Sequence, residues 1–144
     1  MEAAAGLRVL LVDDNPADVY LMRSALHAWP VPVDLQVLSD GEKALQRLLA
    51  NSQPRPDLLV LDMNLPRVSG TAVLETIRRY TNLSTLPVVL LSSSRPTDEA
   101  AEHRQSLFLL KPYNLDEYAA LSNRIYRFWC DCAAQAGISH GCSA

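Results

Sequence analysis

The chain has no long apolar run, no basic excess, no N-terminal signal pattern and no cysteine before its last fifteen residues. No apolar run exceeds about five residues, far short of the roughly 20 needed to span a bilayer. The N-terminus lacks the charged-then-apolar pattern of a signal segment, so a cytosolic protein that does not engage a membrane is expected. A net charge of -3 removes the electrostatic reason to expect a nucleic-acid partner. Cys130, Cys132 and Cys142 all lie in the last fifteen residues, too late to form a disulfide framework for the fold. Reduced, partly exposed thiols are expected there. A Cys-x-Cys pair on a helix splays its sulfurs, which argues against a zinc site with His140. His27 and His103 fall on helical stretches with no nucleophile or base in view.

What remains is a chain of 144 residues, 49% hydrophobic and 20% charged, which suits one soluble domain with a substantial core. Leu58-Leu-Val-Leu61 is an unbroken apolar run that fits a strand covered on both faces, and it ends abruptly at Asp62, with Pro66 closing the segment. A buried, unpaired carboxylate would cost several kcal/mol, so Asp62 belongs at a strand exit supplied with counter-charge. Leu7–Val12 is a second such run, ending in Asp13 and Asp14. Asn15 and Pro16 then offer a helix N-cap and first position for a helix carrying Val19, Leu21, Met22, Ala25, Leu26 and Trp29.

Val33–Leu38 alternates with period two, as an edge strand with one wetter face does. Asp40-Gly41 turns into a short helix with Ala44, Leu45, Leu48 and Leu49. Ser69-Gly70 opens another with Ala72, Val73, Leu74, Ile77 and Tyr80. Pro87–Leu91 delivers Ser92, Ser93 and Ser94, and residues 97–105 read as a short polar helix with Asp98 and Glu99 near its positive end. Leu107–Leu110 delivers Lys111-Pro112. Asn114 caps a long last helix with Tyr118, Leu121, Ile125 and Phe128 or Trp129 on one stripe, and residues 137–144 read as a flexible tail after a domain ending near residue 136, its core spanning about 7–132.

Five strand-then-helix units argue a doubly wound α/β fold, a parallel five-stranded sheet with helices on both faces. In such sheets ligands bind at the carboxyl ends of the strands. Asp13, Asp14, Asp62, Ser92 and Lys111 therefore converge on one edge. Three carboxylates in one crevice repel each other unless a cation relieves them, and hard oxygen donors without cysteine or histidine suit Mg²⁺ with several waters retained. Lys111 and Ser92 could clamp the oxygens of a transferring phosphoryl group while a carboxylate acts as nucleophile.

The set Val12-Asp-Asp-Asn15, Pro56 through Asp62-Met-Asn-Leu-Pro66 with Gly70, Pro87 through Ser92, and Lys111-Pro112 resembles the receiver domain of two-component response regulators over nearly the whole chain. The resemblance implies a flavodoxin-like fold with strand order 2-1-3-4-5, and a phosphoryl group passed to Asp62 from a phosphohistidine of a sensor histidine kinase or phosphotransfer protein. It implies Mg²⁺ held by Asp13, Asp14, Asp62 and the backbone carbonyl of Asn64, with Lys111 followed by a cis peptide bond to Pro112. Ser92 and Phe108 would form the switch, and Asn64 and Ser94 would tune hydrolysis of the acyl phosphate.

The Ser92-to-Lys111 gap is three residues shorter than is usual in the family, which leaves a short or displaced fourth helix. The Asp-Asp-Asn-Pro-Ala-Asp start and the Ser-Ser-Ser stretch are similar to single-domain regulators that partner phytochrome-type kinases. A single-domain switch without an output domain, and not an enzyme in the usual sense, is therefore expected. Two rivals are a phosphorylation-independent scaffold and a small-molecule phosphohydrolase; the second wants an acid-base carboxylate where Asn64 stands. Tyr126 and Trp129 widen the apolar face of the last helix, as a broad core contact or a homodimer surface would require.

Overall fold

The protein is described from a computed structural model covering residues 6–50, 54–93 and 106–135. Along these residues run β1 (Leu7–Val12), α1 (Pro16–Leu26), β2 (Val33–Leu38), α2 (Gly41–Leu49), β3 (Leu58–Asp62), α3 (Gly70–Ile77), a 3-10 turn (Thr81–Leu83), β4 (Val88–Ser92), β5 (Ser106–Leu110) and α4 (Leu115–Gln135). The helix expected over residues 97–105, Ser94 and the tail from residue 137 lie outside the described residues.

All strand pairs are parallel, in the order β2-β1-β3-β4-β5. The strand that reads as doubly covered is central, and every residue of β3 is buried. The strand that alternates is at an edge, with Asp34 and Gln36 exposed between partly covered Val33, Leu35 and Val37. Period two sorts the sheet side chains into two layers. Leu7, Val9, Leu11, Leu58, Val60, Val89 and Leu91 face α1 and α4, whereas Leu10, Val12, Leu59, Leu61, Val88 and Leu90 face α2 and α3.

Helix starts follow from local chemistry. The side chains of Asn15, Asp40 and Ser69 accept the backbone N–H of Ala17, Lys43 and Ala72, which satisfies donors that a helix start leaves open. Asn114 accepts from Glu117 N at 2.9 Å, while Glu117 accepts from Tyr113 N at 3.3 Å, a reciprocal pair of the capping-box kind.

The last helix decides one expectation left open and corrects another. Trp129 is 3% exposed and Tyr126 packs 5.0 Å from Trp29, three residues past the end of α1, so the wide apolar stripe is a core contact with α1 and the segment that follows it. Burial of Trp129 within its own chain removes it as a surface anchor. Trp29 Nε1 donates to Ser122 Oγ in the same seam, and Ser122 Oγ donates to Ala25 O at 3.3 Å. The cysteines are also not uniformly reduced and partly exposed. Cys130 is disulfide-bonded and Cys132 is a buried free thiol, because residues two apart on a helix face different surroundings. Burial pushes the Cys132 thiol up to about 11, which keeps it protonated.

Arg78, just past α3, ties the far end of the sheet together. Its guanidinium donates to Leu83 O at 3.1 Å, Leu86 O at 2.7 Å and Ser106 Oγ at 3.1 Å. Burial pushes its pKa down to about 10, so the group stays charged at neutral pH. Arg78→Ala leaves those acceptors without their donor and is expected to cost about 2 kcal/mol of stability, read as a lower urea midpoint at unchanged slope. An unchanged midpoint would mean that water replaces the guanidinium freely.

Candidate functional site

The site is assembled where the strands end. Asp13 N donates to Leu38 O at 3.0 Å, which carries the β1–β2 ladder one residue further and leaves Asp13 only 4% exposed. Its Oδ1 accepts from Asn15 N at 2.9 Å, so the residue that starts α1 also fixes this carboxylate. Asp14 is exposed beside it. Asp62 is the last residue of β3 and 3% exposed, with Oδ1 accepting from Asn64 N at 3.0 Å. Lys111 N donates to Ser92 O at 2.7 Å, placing the lysine just past β5 and against the end of β4.

From there the Lys111 ammonium reaches Asp62 Oδ2 at 2.9 Å, Asp18 Oδ2 at 2.8 Å and Asp13 Oδ2 at 3.5 Å. Burial disfavours this charge, but the hydrogen bonds with Asp18 and Asp62 outweigh it and raise its pKa above the usual lysine range. Asp13 moves the other way from most carboxylates. Burial pushes it up to about 6, with the Asn15 N–H and Lys111 opposing the rise and the charges of Asp62 and Asp18 adding to it. One cation among four carboxylates leaves the crevice short of positive charge.

Asp13, Asp14 and Asp62 each offer a carboxylate oxygen, and these atoms lie within 4.8 Å of one another. Three hard oxygen donors with one open, exposed member fit a small divalent cation such as Mg²⁺ or Mn²⁺ that keeps part of its water. Among the described residues this is the one group of potential metal ligands of that size.

Ser92 is buried at the end of β4, with its backbone carbonyl against Lys111 N. Asn64 is exposed, its Nδ2 donating to Ser93 Oγ at 3.4 Å. Phe108 is half-buried beside Leu90 and packs on the α2–α3 side of the sheet. The Lys111–Pro112 peptide is trans, contrary to expectation, since no cis bond occurs among the described residues. A bond before proline still favours trans by about 0.5–1 kcal/mol. Sequence reasoning missed Asp18 and its partner Tyr118, whose hydroxyl donates to Asp18 Oδ1 at 3.4 Å. As the third residue of α1, Asp18 reads as a helix-dipole residue, and only its position four after Asp14 hinted that it turns toward the strand ends.

The comparisons with known proteins match this arrangement. Response regulator Rcp1 of Synechocystis sp. is 33% identical over 128 residues, spanning 84% of this chain and 87% of Rcp1. The crystal structure of the phosphorylated cyanobacterial phytochrome response regulator RcpA superposes with a TM-score of 0.76 at 32% identity, covering 88% of this chain and 95% of RcpA. The Mn²⁺-bound form of Rcp1 gives 0.73 at 32% identity, over 85% of this chain and 93% of Rcp1. The family described as response regulator receiver domain matches residues 9–122, the span that carries the acidic crevice and its lysine, and the chain belongs to that family.

Proposed function

We propose that Asp62 accepts a phosphoryl group from a phosphohistidine of a sensor histidine kinase, or of a phosphotransfer protein, in a Mg²⁺-dependent reaction, and that the chain signals through altered protein contacts. The observation that carries this reading is a single ammonium, Lys111 Nζ, lying 2.9 Å from Asp62 Oδ2 beside a three-carboxylate cluster at the strand ends. In the transfer, an Asp62 oxygen forms a bond to phosphorus as the phosphorus–nitrogen bond breaks and the electron pair returns to the imidazole. Asp13, Asp14, Asp62 and the Asn64 carbonyl would hold the Mg²⁺, which would supply positive charge for the phosphoryl oxygens. Lys111 shifts from Asp62 to one of those oxygens, and Ser92 turns its hydroxyl toward another.

Ser92 and Phe108 form the switch that carries the change to the surface, while Asn64 and Ser94 set how readily water reaches the acyl phosphate. A phytochrome-type kinase is the favoured partner class, on the strength of the likeness to RcpA. A homodimer built on Tyr126 and Trp129 is not part of this reading, because Trp129 is buried and Tyr126 is half-buried against Trp29. A phosphohydrolase is disfavoured by Asn64, which cannot serve as an acid-base carboxylate.

Incubation with acetyl phosphate and Mg²⁺ is expected to add one phosphoryl group per chain, sensitive to hydroxylamine and lost when Mg²⁺ is chelated. Borohydride reduction followed by peptide mapping should place it on Asp62. Phosphate found on another residue, or no uptake with Mg²⁺ present, would overturn the assignment.

A further inference from the structure

Asp18 makes the shortest contact to Lys111, 2.8 Å against 2.9 Å for Asp62, yet lies outside the cation-holding trio. It comes from the first turn of α1, and the lysine follows β5. Tyr118 comes from the first turn of α4, is 1% exposed, and sends its hydroxyl to Asp18 Oδ1 at 3.4 Å. Each Asp18 oxygen thus has its own partner, one the ammonium and one the phenol. Burial, with the Asp18 charge adding to it, raises the phenol's pKa, so it remains a proton donor.

We propose that Asp18 is a positioning residue for Lys111, and that Tyr118 holds Asp18 in the orientation this requires. The inference rests on the phosphoacceptor reading of Asp62 and goes one step beyond it. For an Asp62 oxygen to attack phosphorus, the ammonium must loosen its hold on Asp62 and meet the phosphoryl oxygens. A lysine held by Asp62 alone would cling to the nucleophile or be released on a flexible four-carbon stem. Asp18 gives the ammonium a second short partner that does not react, so Lys111 can pivot from Asp62 to the phosphoryl group while staying in place. Such pre-placement acts on the transfer step more than on cation binding.

The test compares wild-type chain, Asp18→Asn, Asp18→Glu, Tyr118→Phe and the Asp18→Asn/Tyr118→Phe double variant. The readouts are phosphorylation rate from acetyl phosphate at saturating Mg²⁺, the Mg²⁺ concentration for half-maximal rate, and thermal unfolding to show that each variant is folded. Asp18→Asn should slow transfer about tenfold, the effect of one charge-assisted hydrogen bond, without changing the Mg²⁺ requirement. Asp18→Glu should recover part of the rate. Tyr118→Phe should cost about threefold, and the double variant should be no slower than Asp18→Asn, because Tyr118 acts through Asp18.

A wild-type rate in Asp18→Asn, a loss removed by added Mg²⁺, or losses that multiply in the double variant would each overturn the proposal while leaving Asp62 as acceptor. Failure of the wild-type chain to take up phosphate at Asp62 would instead sink the functional reading beneath it. If Asp18→Asn proves unfolded, Tyr118→Phe decides, and an unchanged rate there overturns the link to Asp18.

Discussion

Phosphoryl uptake is expected to vanish in Asp62→Asn and to fall about a hundredfold to a thousandfold in Lys111→Ala, the loss typical of removing a charge-stabilising donor from a reacting centre. The two variants should move stability in opposite directions. Asp62→Asn removes one negative charge from a crevice in which Asp13 is already pushed up to about 6, partly by Asp62, while Lys111 keeps Asp18 and Asp13 as partners. In metal-free buffer that variant should be more stable than wild type by about 1 kcal/mol, as relief of like-charge repulsion predicts. Lys111→Ala does the reverse. It leaves the Asp13 and Asp62 side chains, 3% and 4% exposed, without their ammonium. A cost of about 3 kcal/mol follows from breaking a buried pair by removing one partner. Mg²⁺ should then restore more stability to Lys111→Ala than to wild type, since it replaces the missing counter-charge. Denaturant unfolding with and without Mg²⁺ checks both signs, and a destabilised Asp62→Asn would show that the carboxylate supports the fold more than it strains it.

That opposition was half visible in the sequence. The run Leu58–Leu61 ending in Asp62 required a doubly covered strand with a charge at its exit, and β3 is that strand. The alternation of Val33–Leu38 required an edge. The caps at Asn15 and Asn114 follow from side chains that satisfy nearby N–H groups. The rule that strand ends share a crevice then collected Asp13, Asp14, Asp62, Ser92 and Lys111 without any knowledge of distances. Asp18 was not recoverable in this way, because its reason for being where it is comes from a lysine 93 residues away in sequence. Locally it is an ordinary acidic residue in a first helical turn. The choice between core contact and homodimer surface at Trp129 stayed open for a related reason. Helical spacing shows that a face is wide, but only the position of Trp29, just past the neighbouring helix, decides whether that face is already covered. Arg78 too is ordinary in sequence, and its value lies in acceptors supplied by a 3-10 turn and by β5.

Gly70→Ala is the second large effect, and here the reason is space. A Cβ at Gly70 would lie 2.6 Å from Asp62 O and 3.0 Å from Met63 Cα, both backbone atoms that no side-chain rotation can clear. The opposite side of the same loop is just as close, since a Cβ at Gly41 would lie 2.2 Å from Val68 O. The β3–α3 loop is thus pinned between the first residues of α2 and α3. It closes through Val68 N donating to Pro66 O at 2.8 Å around Arg67 at φ 67°, a tight turn of the strained hand. A loop held on both sides and already bent at a non-glycine residue has little room to give. Gly70→Ala must therefore displace α3 or the Asp62 backbone, at a cost of about 3 kcal/mol in stability. If the backbone moves, the Asp62 carboxylate moves with it, and a misplacement of about 1 Å is enough to slow transfer about a hundredfold. Gly41→Ala should destabilise comparably but slow transfer less, because it presses on Val68, six residues along the chain from Asp62. Unfolding midpoints and acetyl phosphate kinetics on the two variants separate these effects. Equal loss of rate in both would mean that the loop transmits the strain as a rigid unit, and no loss in Gly70→Ala would mean that the helix, not the site, gives way.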